Sequence, residues 1–212
     1  MNVNPRNIAV LGGGGKTGTI LLNMLIARGY RPRVLLRKPV PELSASDVEI
    51  VYGDALDPEC LRELLRGADA LISTIGQRPG EPLVAGRLTE GLNELLAEAG
   101  IRRYIVLAGI NVDAPGDSKG LSAQAATTWM RETFPAIHND RQGACDKLFK
   151  SDLDWTLVRA PMIDFSNHRG KLAIDLADSP GKSVYVRDLA DFLAVQLESD
   201  VYIRKCPFVA ST

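Results

Sequence analysis

The sequence predicts an α/β fold, a doubly wound parallel sheet with helices on both faces, and three observations carry that expectation. Short β-branched apolar runs alternate with longer helical stretches through most of the 212 residues. Several of these runs are apolar at consecutive positions, the pattern of parallel strands covered on both faces. The first run leads through a glycine-rich stretch, "LGGGGKTG" at 11–18, directly into a helical pattern.

Six strands are predicted: "NIAVLG" (7–12), "RPRVLLR" (31–37), "VEIVYGD" (48–54), "ALIST" (70–74), "RYIVLAG" (103–109) and "WTLVRAP" (155–161). Between them, "KTGTILLNMLIARG" (16–29) is apolar on one face and reaches Gly29, a residue suited to a helix C-terminus. "PECLRELLRGA" (58–68) places Pro58 in a first helical turn behind Asp57, a good N-cap. "PLVAGRLTEGLNELLAEAG" (82–100) and "RQGACDKLFKSD" (141–152) complete the helical set before the sixth strand. Right-handed crossovers then distribute the helices over both faces.

Two segments interrupt the rhythm. "NVDAPGDSKGLSAQ" (111–124) is rich in turn residues and follows the fifth strand, at the end of the sheet where such folds bind ligands. After Pro161 a mixed segment, a helix "RDLADFLAVQLES" and a terminal "YIRKCPFVAST" read as a smaller substrate-side subdomain, 162–212, of a single domain spanning 1–212.

Composition narrows the function. An apolar content of 45%, a charged content of 24% and a net charge of −1 describe an ordinary globular chain without a basic surface for nucleic acid. No apolar run approaches the ~20 residues that span a bilayer, and "MNVNPRNIAVLG" lacks the pattern of a signal peptide. Cys60, Cys145 and Cys206 are too widely spaced for a disulfide framework or a zinc site, so no metal is expected and the cytoplasm is the expected location. The expected partner is a small-molecule substrate, not a membrane, for a monomer or homodimer.

The glycine stretch admits two chemistries. A triphosphate-binding loop, G-x-x-x-x-G-K-[ST], ending at Gly15-Lys16-Thr17 needs glycine at position 10, which is Val10. Gly12, Gly15 and Gly18 instead give the spacing of a dinucleotide-binding turn, with a pyrophosphate at the start of the helix near Lys16 and Thr17. The sheet is therefore expected to be Rossmann-like. Folds of this kind that prefer NAD carry an acid after the second strand. Arg37 and Lys38 stand there instead, and a guanidinium suits a 2′-phosphate, so NADP is expected, with NADPH preferred over NADH.

"IAVLGGGGKTG", "VLLRKP", "VYGDALD", "ALISTIG", "DKLFKSDLDWTLVRAPMI" and "VYVRDLADFLA", in that order, resemble the atypical short-chain dehydrogenase/reductases. The chain is similar to the small NAD(P)H-binding proteins related to biliverdin and flavin reductases and to NmrA-like proteins. That resemblance implies adenine contacts from Asp54 and Ala55, and adenosine and ribose contacts from Ser73, Thr74, Ile75 and Gly76. It also implies cofactor contacts from Ala108, Gly109 and Lys147, and a nicotinamide wall from Pro161, Met162 and Ile163.

The usual Ser and Tyr-x-x-x-Lys set of these enzymes is incomplete. Gly109 stands at the serine position, and four residues before Lys147 is Gly143. With the phenol missing, the candidate catalytic residues are Lys147, as acid/base, His138 and Asn111, with Asp140 as another proton donor. The implied function is an NADPH-dependent oxidoreductase passing hydride to a small conjugated acceptor: a flavin, quinone, tetrapyrrole or enone. Its alternatives are a non-catalytic NADP(H) sensor of NmrA-like type and a nucleotide-dependent epimerase or dehydratase. His168 could reach the substrate, Trp129 could shape the pocket mouth, and Cys145 and Trp155 are expected to pack.

Overall fold

The computed structural model describes residues 6–44 and 47–212; Met1–Pro5, part of the stretch read for a signal segment, lie outside it. The chain runs β1 (Asn7–Leu11), α1 (Lys16–Ala27), β2 (Arg31–Leu36), α2 (Pro41–Ser44), β3 (Glu49–Tyr52), α3 (Pro58–Leu65), β4 (Ala70–Ser73) and α4 (Ala85–Glu98). It continues with β5 (Arg103–Gly109), α5 (Leu121–Thr133), α6 (Pro135–Phe149), β6 (Asp154–Ala160), β7 (Met162–Asp164), β8 (Leu172–Asp175), β9 (Ser183–Tyr185), α7 (Val186–Val195) and β10 (Phe208–Ser211).

Eight strands form one sheet in the order β3-β2-β1-β4-β5-β6-β10-β8, and β7 pairs with β9 beside it. Pairing is parallel from β3 to β10, and β8 alone runs antiparallel, against β10. Val10 stands level with Val34 on one side and Ile72 on the other. This is the Rossmann-like architecture that the apolar runs predict.

Those runs are continuous because each strand feeds two cores. Ile8 and Val10 pack with Leu21, Leu22 and Leu25 of α1 and Leu189 and Leu193 of α7. Ala9 and Leu11 point the opposite way, onto Leu61 and Leu64 of α3, Leu92 and Leu96 of α4 and Leu148 of α6. Crossovers leave β1 in one direction and β4 in the other, so a crevice opens at the carboxyl ends of these neighbouring strands. Local signals agree: Asp57 caps α3 by accepting from Glu59 N–H at 2.9 Å, and Gly29 follows α1 with φ +82°. Among the described residues no helix is long and apolar enough to cross a membrane.

One region differs from the expectation. The irregular segment after β5 gives way to helix at Leu121, and α6 begins at Pro135, not near 141. Phe134 ends one helix and starts the next, and Pro135 occupies the first turn, where its missing N–H costs nothing. The segment after Pro161 is joined to the rest of the single domain. Its β10 and β8 extend the main sheet, and α7 packs against α1. Buried Asp188 of α7 accepts from Gly170 N–H at 2.9 Å and from Ser211 Oγ at 2.8 Å, tying three parts of the segment together.

A buried cation fixes the loop after β5. The Arg159 side chain is fully buried in β6, donating to Cys206 O at 2.7 and 3.0 Å and to Asp117 Oδ2 at 2.7 Å. It stacks 3.5 Å from the Phe208 ring centroid. Lys119, nearly buried, adds bonds to Val112 O, Asp113 and Thr127 at 2.9, 2.6 and 3.2 Å. A loop read from composition as irregular is therefore held in one conformation.

Candidate active site

The site begins at the turn after β1. Gly12 has φ +80°, and a Cβ there would lie 2.8 Å from the backbone of Thr74 and Ile75, so β1 and β4 approach each other only through glycine. A Cβ on Gly18 would lie 2.2 Å from Gly12 O, so the third glycine lets α1 sit tight on the turn. Gly15 N–H donates to Gly12 O at 3.0 Å, and Thr19 Oγ1 donates to Gly13 O and Gly15 O at 3.2 and 3.0 Å. No side chain caps α1 behind Gly15, and its first turn holds no acid. A preformed turn with outward N–H groups at the positive end of a helix suits a pyrophosphate.

The crevice has two adjoining compartments that share Thr74, Ile75, Gly76, Gln77 and Val84. The outer one, about 620 Å³, is lined by Gly12, Gly14, Gly15, Arg37, Lys38, Asp54 and Ala55. Asp54 Oδ1 accepts from Leu56 N–H at 2.8 Å, which fixes the carboxylate at the rim. Arg37 is paired with Glu81, whose carboxyl this hydrogen bond holds below the usual range. Gln77 Nε2 donates to Glu81 O at 2.8 Å and to Pro82 O at 3.2 Å, holding the loop that carries Glu81.

The inner compartment, about 340 Å³, is mostly apolar. Ala108 and Gly109 of β5, Ala160 at the end of β6, Pro161 and Ile163 beyond it, and Leu88 of α4 form its walls, with Thr17, Ser73 and Thr89 among the polar groups. Tyr104, in the floor, has its phenol pushed up by burial, and burial pushes the Cys145 thiol up to about 12. Both groups stay protonated at neutral pH and neither is an activated nucleophile.

The candidate catalytic residues separate. Asn111 Nδ2 lies 3.3 Å from His138 Nδ1 and both side chains are buried. The amide nitrogen can only donate, so the contact is a hydrogen bond in the tautomer that carries the ring proton on Nε2. A Cβ at Gly109 would stand 2.5 Å from Asn111 Oδ1, so the carboxamide takes the space a serine there would need. Asp140 lines the inner compartment, and its oxygens accept from Ala85 N–H and Gly86 N–H, at 2.9 and 3.0 Å, at the N-terminus of α4.

Lys147 is not brought to the crevice. Its Nζ bonds Glu90 at 2.8 Å on the outer surface, because the face of α6 turned inward carries Ile137, Arg141, Ala144 and Cys145. Trp129 is likewise outside the lining: it is 56% exposed on α5 and meets Phe134 edge-on at 5.5 Å. Met162 points out with 76% exposure while Pro161 and Ile163 face in, as alternation along β7 requires. Lys16 is exposed at the start of α1, its Nζ 5.2 Å from the Phe165 ring centroid. His168 is exposed and lies 5.9 Å from Tyr185.

Two lining residues escaped the sequence reading. Glu81 sits in a stretch with no pattern, and its link to Arg37 spans 44 positions. Arg141 becomes visible only once α6 is extended back to Pro135, which aligns it with Ile137 one turn earlier.

Comparison with known proteins agrees with this geometry. A family described as NAD(P)H-binding matches residues 12–200. A ceramide reductase of Caulobacter vibrioides is 30% identical over 131 residues, which are 56% of this chain and 39% of that protein. This chain therefore spans well under half of that relative's length. ChuY, an anaerobillin reductase of Escherichia coli O157:H7, superposes with TM-score 0.81 at 17% identity, over 97% of each chain. A short-chain dehydrogenase/reductase of Veillonella parvula in complex with NADP superposes with TM-score 0.77 at 15% identity, over 98% of this chain and 95% of the other. At such identities the superpositions speak for the fold.

Proposed function

The chain belongs to the NAD(P)H-binding family, and from that premise we propose that it is an NADPH-dependent reductase acting on a small conjugated acceptor. One observation carries this reading: a glycine-walled, cation-lined outer compartment opens directly into an apolar inner one. The turn at Gly12–Gly15 holds the pyrophosphate, Asp54 and Ala55 border the adenine, and Arg37 and Lys38 meet the 2′-phosphate. Thr74 to Gly76 follow the ribose, and Pro161 and Ile163 back the nicotinamide, which when bound supplies hydride to the acceptor.

The chain's own contribution is positioning and exclusion of water. Ala108, Ala160 and Ile163 offer a flat apolar wall against which a conjugated system lies beside the cofactor site. Proximity of this kind supplies much of the rate when the cofactor carries the chemistry. No phenol stands on α6 beside a lysine, so the acceptor must be one whose reduction needs no strong protein acid. Flavins, quinones, tetrapyrroles and enones meet that condition, with the proton taken from water at the open mouth. The Asn111–His138 pair orients the wall beside Gly109. The names of the Caulobacter and Escherichia proteins, both reductases, support the reaction class and not the acceptor.

Calorimetric titration with NADPH and NADH, followed by NADPH oxidation assays with FMN, menadione, biliverdin and an enone, tests the reading. Tighter binding of NADPH and turnover of one acceptor class are expected. Binding without turnover of any acceptor favours a sensor, the reading that the missing serine and tyrosine support. Failure of both nucleotides to bind overturns the cofactor assignment.

A further inference from the structure

Arg141 stands on the inward face of α6, its side chain part of the lining of the inner compartment. Among the described residues it makes no hydrogen bond and no ion pair. Two other arginines drawn into the protein have fixed partners. Arg103 donates to Gln196 O at 2.7 and 3.0 Å and to Asp154 O at 2.6 Å. Arg159 has Asp117 and Cys206 O. The acid nearest in sequence, Asp140, is committed to the N-terminus of α4. Burial weakens the hold of the Arg141 guanidinium on its proton, yet it remains charged at neutral pH. The guanidinium is half-buried and the Asp140 carboxylate, which lines the same compartment, favours its charge without hydrogen-bonding it. A cation in a ligand pocket whose N–H donors hold no protein acceptor is one that an anionic group would complete.

We propose that Arg141 is the acceptor-recognition residue of this site, and that the acceptor carries a carboxylate or phosphate which the guanidinium holds while the conjugated part lies against the apolar wall. The proposal rests on the reductase reading and deepens it. Neutral quinones and simple enones are disfavoured, and acceptors with an anionic arm are selected. The planar fork of Arg141 suits two oxygens of one anion. Its place in the inner compartment with Pro161 and Ile163, whose lining includes neither Arg37 nor Lys38, assigns it to the acceptor and not to the cofactor's phosphates.

The test uses full-length protein saturated with NADP⁺ and two matched pairs of probes. Biliverdin and its dimethyl ester differ in carboxylate charge, and FMN and riboflavin differ in phosphate. The charged member of at least one pair is expected to bind about tenfold or more tighter, with the preference lost in Arg141→Gln and partly kept in Arg141→Lys. Affinity for NADP⁺ stays the same in both variants, and this also reports that they are folded. Equal binding within both pairs, a preference that survives Arg141→Gln, or no binding of any probe overturns the proposal. So does a loss of NADP⁺ affinity in a folded Arg141→Gln or Arg141→Lys protein, which would assign the guanidinium to the cofactor. If the wild type does not bind NADP⁺, the cofactor reading itself falls; if it binds NADP⁺ without preference, only the role of Arg141 falls.

Discussion

Arg37 and Glu81 form a two-bond pair at the outer compartment, Nη1 to Oε2 at 3.0 Å and Nη2 to Oε1 at 2.9 Å. The guanidinium proposed to meet the 2′-phosphate is thus held by a carboxylate from the loop before α4. An incoming phosphate must displace that carboxylate, which sets the two in competition. Both side chains are about two-fifths exposed, so the pair itself is weak in water and yields to a dianion.

Glu81→Gln is therefore expected to tighten NADPH binding and to leave NADH nearly unchanged. Arg37→Ala is expected to weaken NADPH by about tenfold or more, the loss of one charge-assisted contact. Arg37 lowers the Glu81 pKa, so the pair is fully present above the ordinary glutamate value of about 4.3 and is lost as pH falls below it. The ratio of affinities between Glu81→Gln and wild type should consequently be the same at about pH 7.5 and 8.5, where Glu81 is ionised and a phosphate with its second pKa of about 6 is a dianion throughout. Calorimetry at the two pH values checks all three statements, and a ratio that changes with pH would remove Glu81 from the competition.

Gly18→Ala drives a methyl group to within 2.2 Å of Gly12 O, and backbone on both sides leaves it nowhere to go. We expect a destabilisation of about 1–3 kcal/mol together with loss of nucleotide binding, read by urea unfolding and titration. Gly91 lies mid-helix in α4 with nothing within 4 Å of an added Cβ. Gly91→Ala should raise stability by about 0.5–1 kcal/mol without altering binding, which separates damage to the turn from any general effect of removing a glycine.

Asp117→Ala leaves the fully buried Arg159 without its counter-ion while its bonds to Cys206 O persist. Breaking one side of such a pair costs about 3–5 kcal/mol. The variant should unfold at markedly lower urea, and amide exchange should quicken across 111–120, the loop that Asp117 anchors. Stability within 1 kcal/mol or so of wild type would mean that the carbonyl bonds alone satisfy Arg159.

Lys147→Ala removes only the surface bond to Glu90. Its effect on kcat and on NADPH affinity should stay within about twofold, as for other surface substitutions. His138→Gln should lower kcat while leaving the NADPH Kd unchanged, because the altered group abuts the acceptor wall through Asn111 and not the cofactor turn. The opposite outcome, a dead Lys147→Ala and an active His138→Gln, would restore the acid/base role that a lysine on this helix suggests.

The sequence by itself determined the parallel sheet, its first six strands and the glycine turn. These depend on local chemistry: apolar runs buried on two faces, a capping Asp57, and glycines at 12 and 18 where a Cβ has no room. It also singled out Arg37, Lys38 and Asp54 at strand ends, because the ends of parallel strands converge on one crevice whatever surrounds them. Only the tertiary structure decided which face of α6 looks inward, since that depends on where the helix starts and on how it packs against α4. A shift of two positions around a helix turns a side chain from crevice to solvent, because successive residues are about 100° apart. Lys147 therefore bonds Glu90 on the outer surface while Arg141 lines the inner compartment, and Glu81 meets Arg37 through a contact that no local pattern encodes.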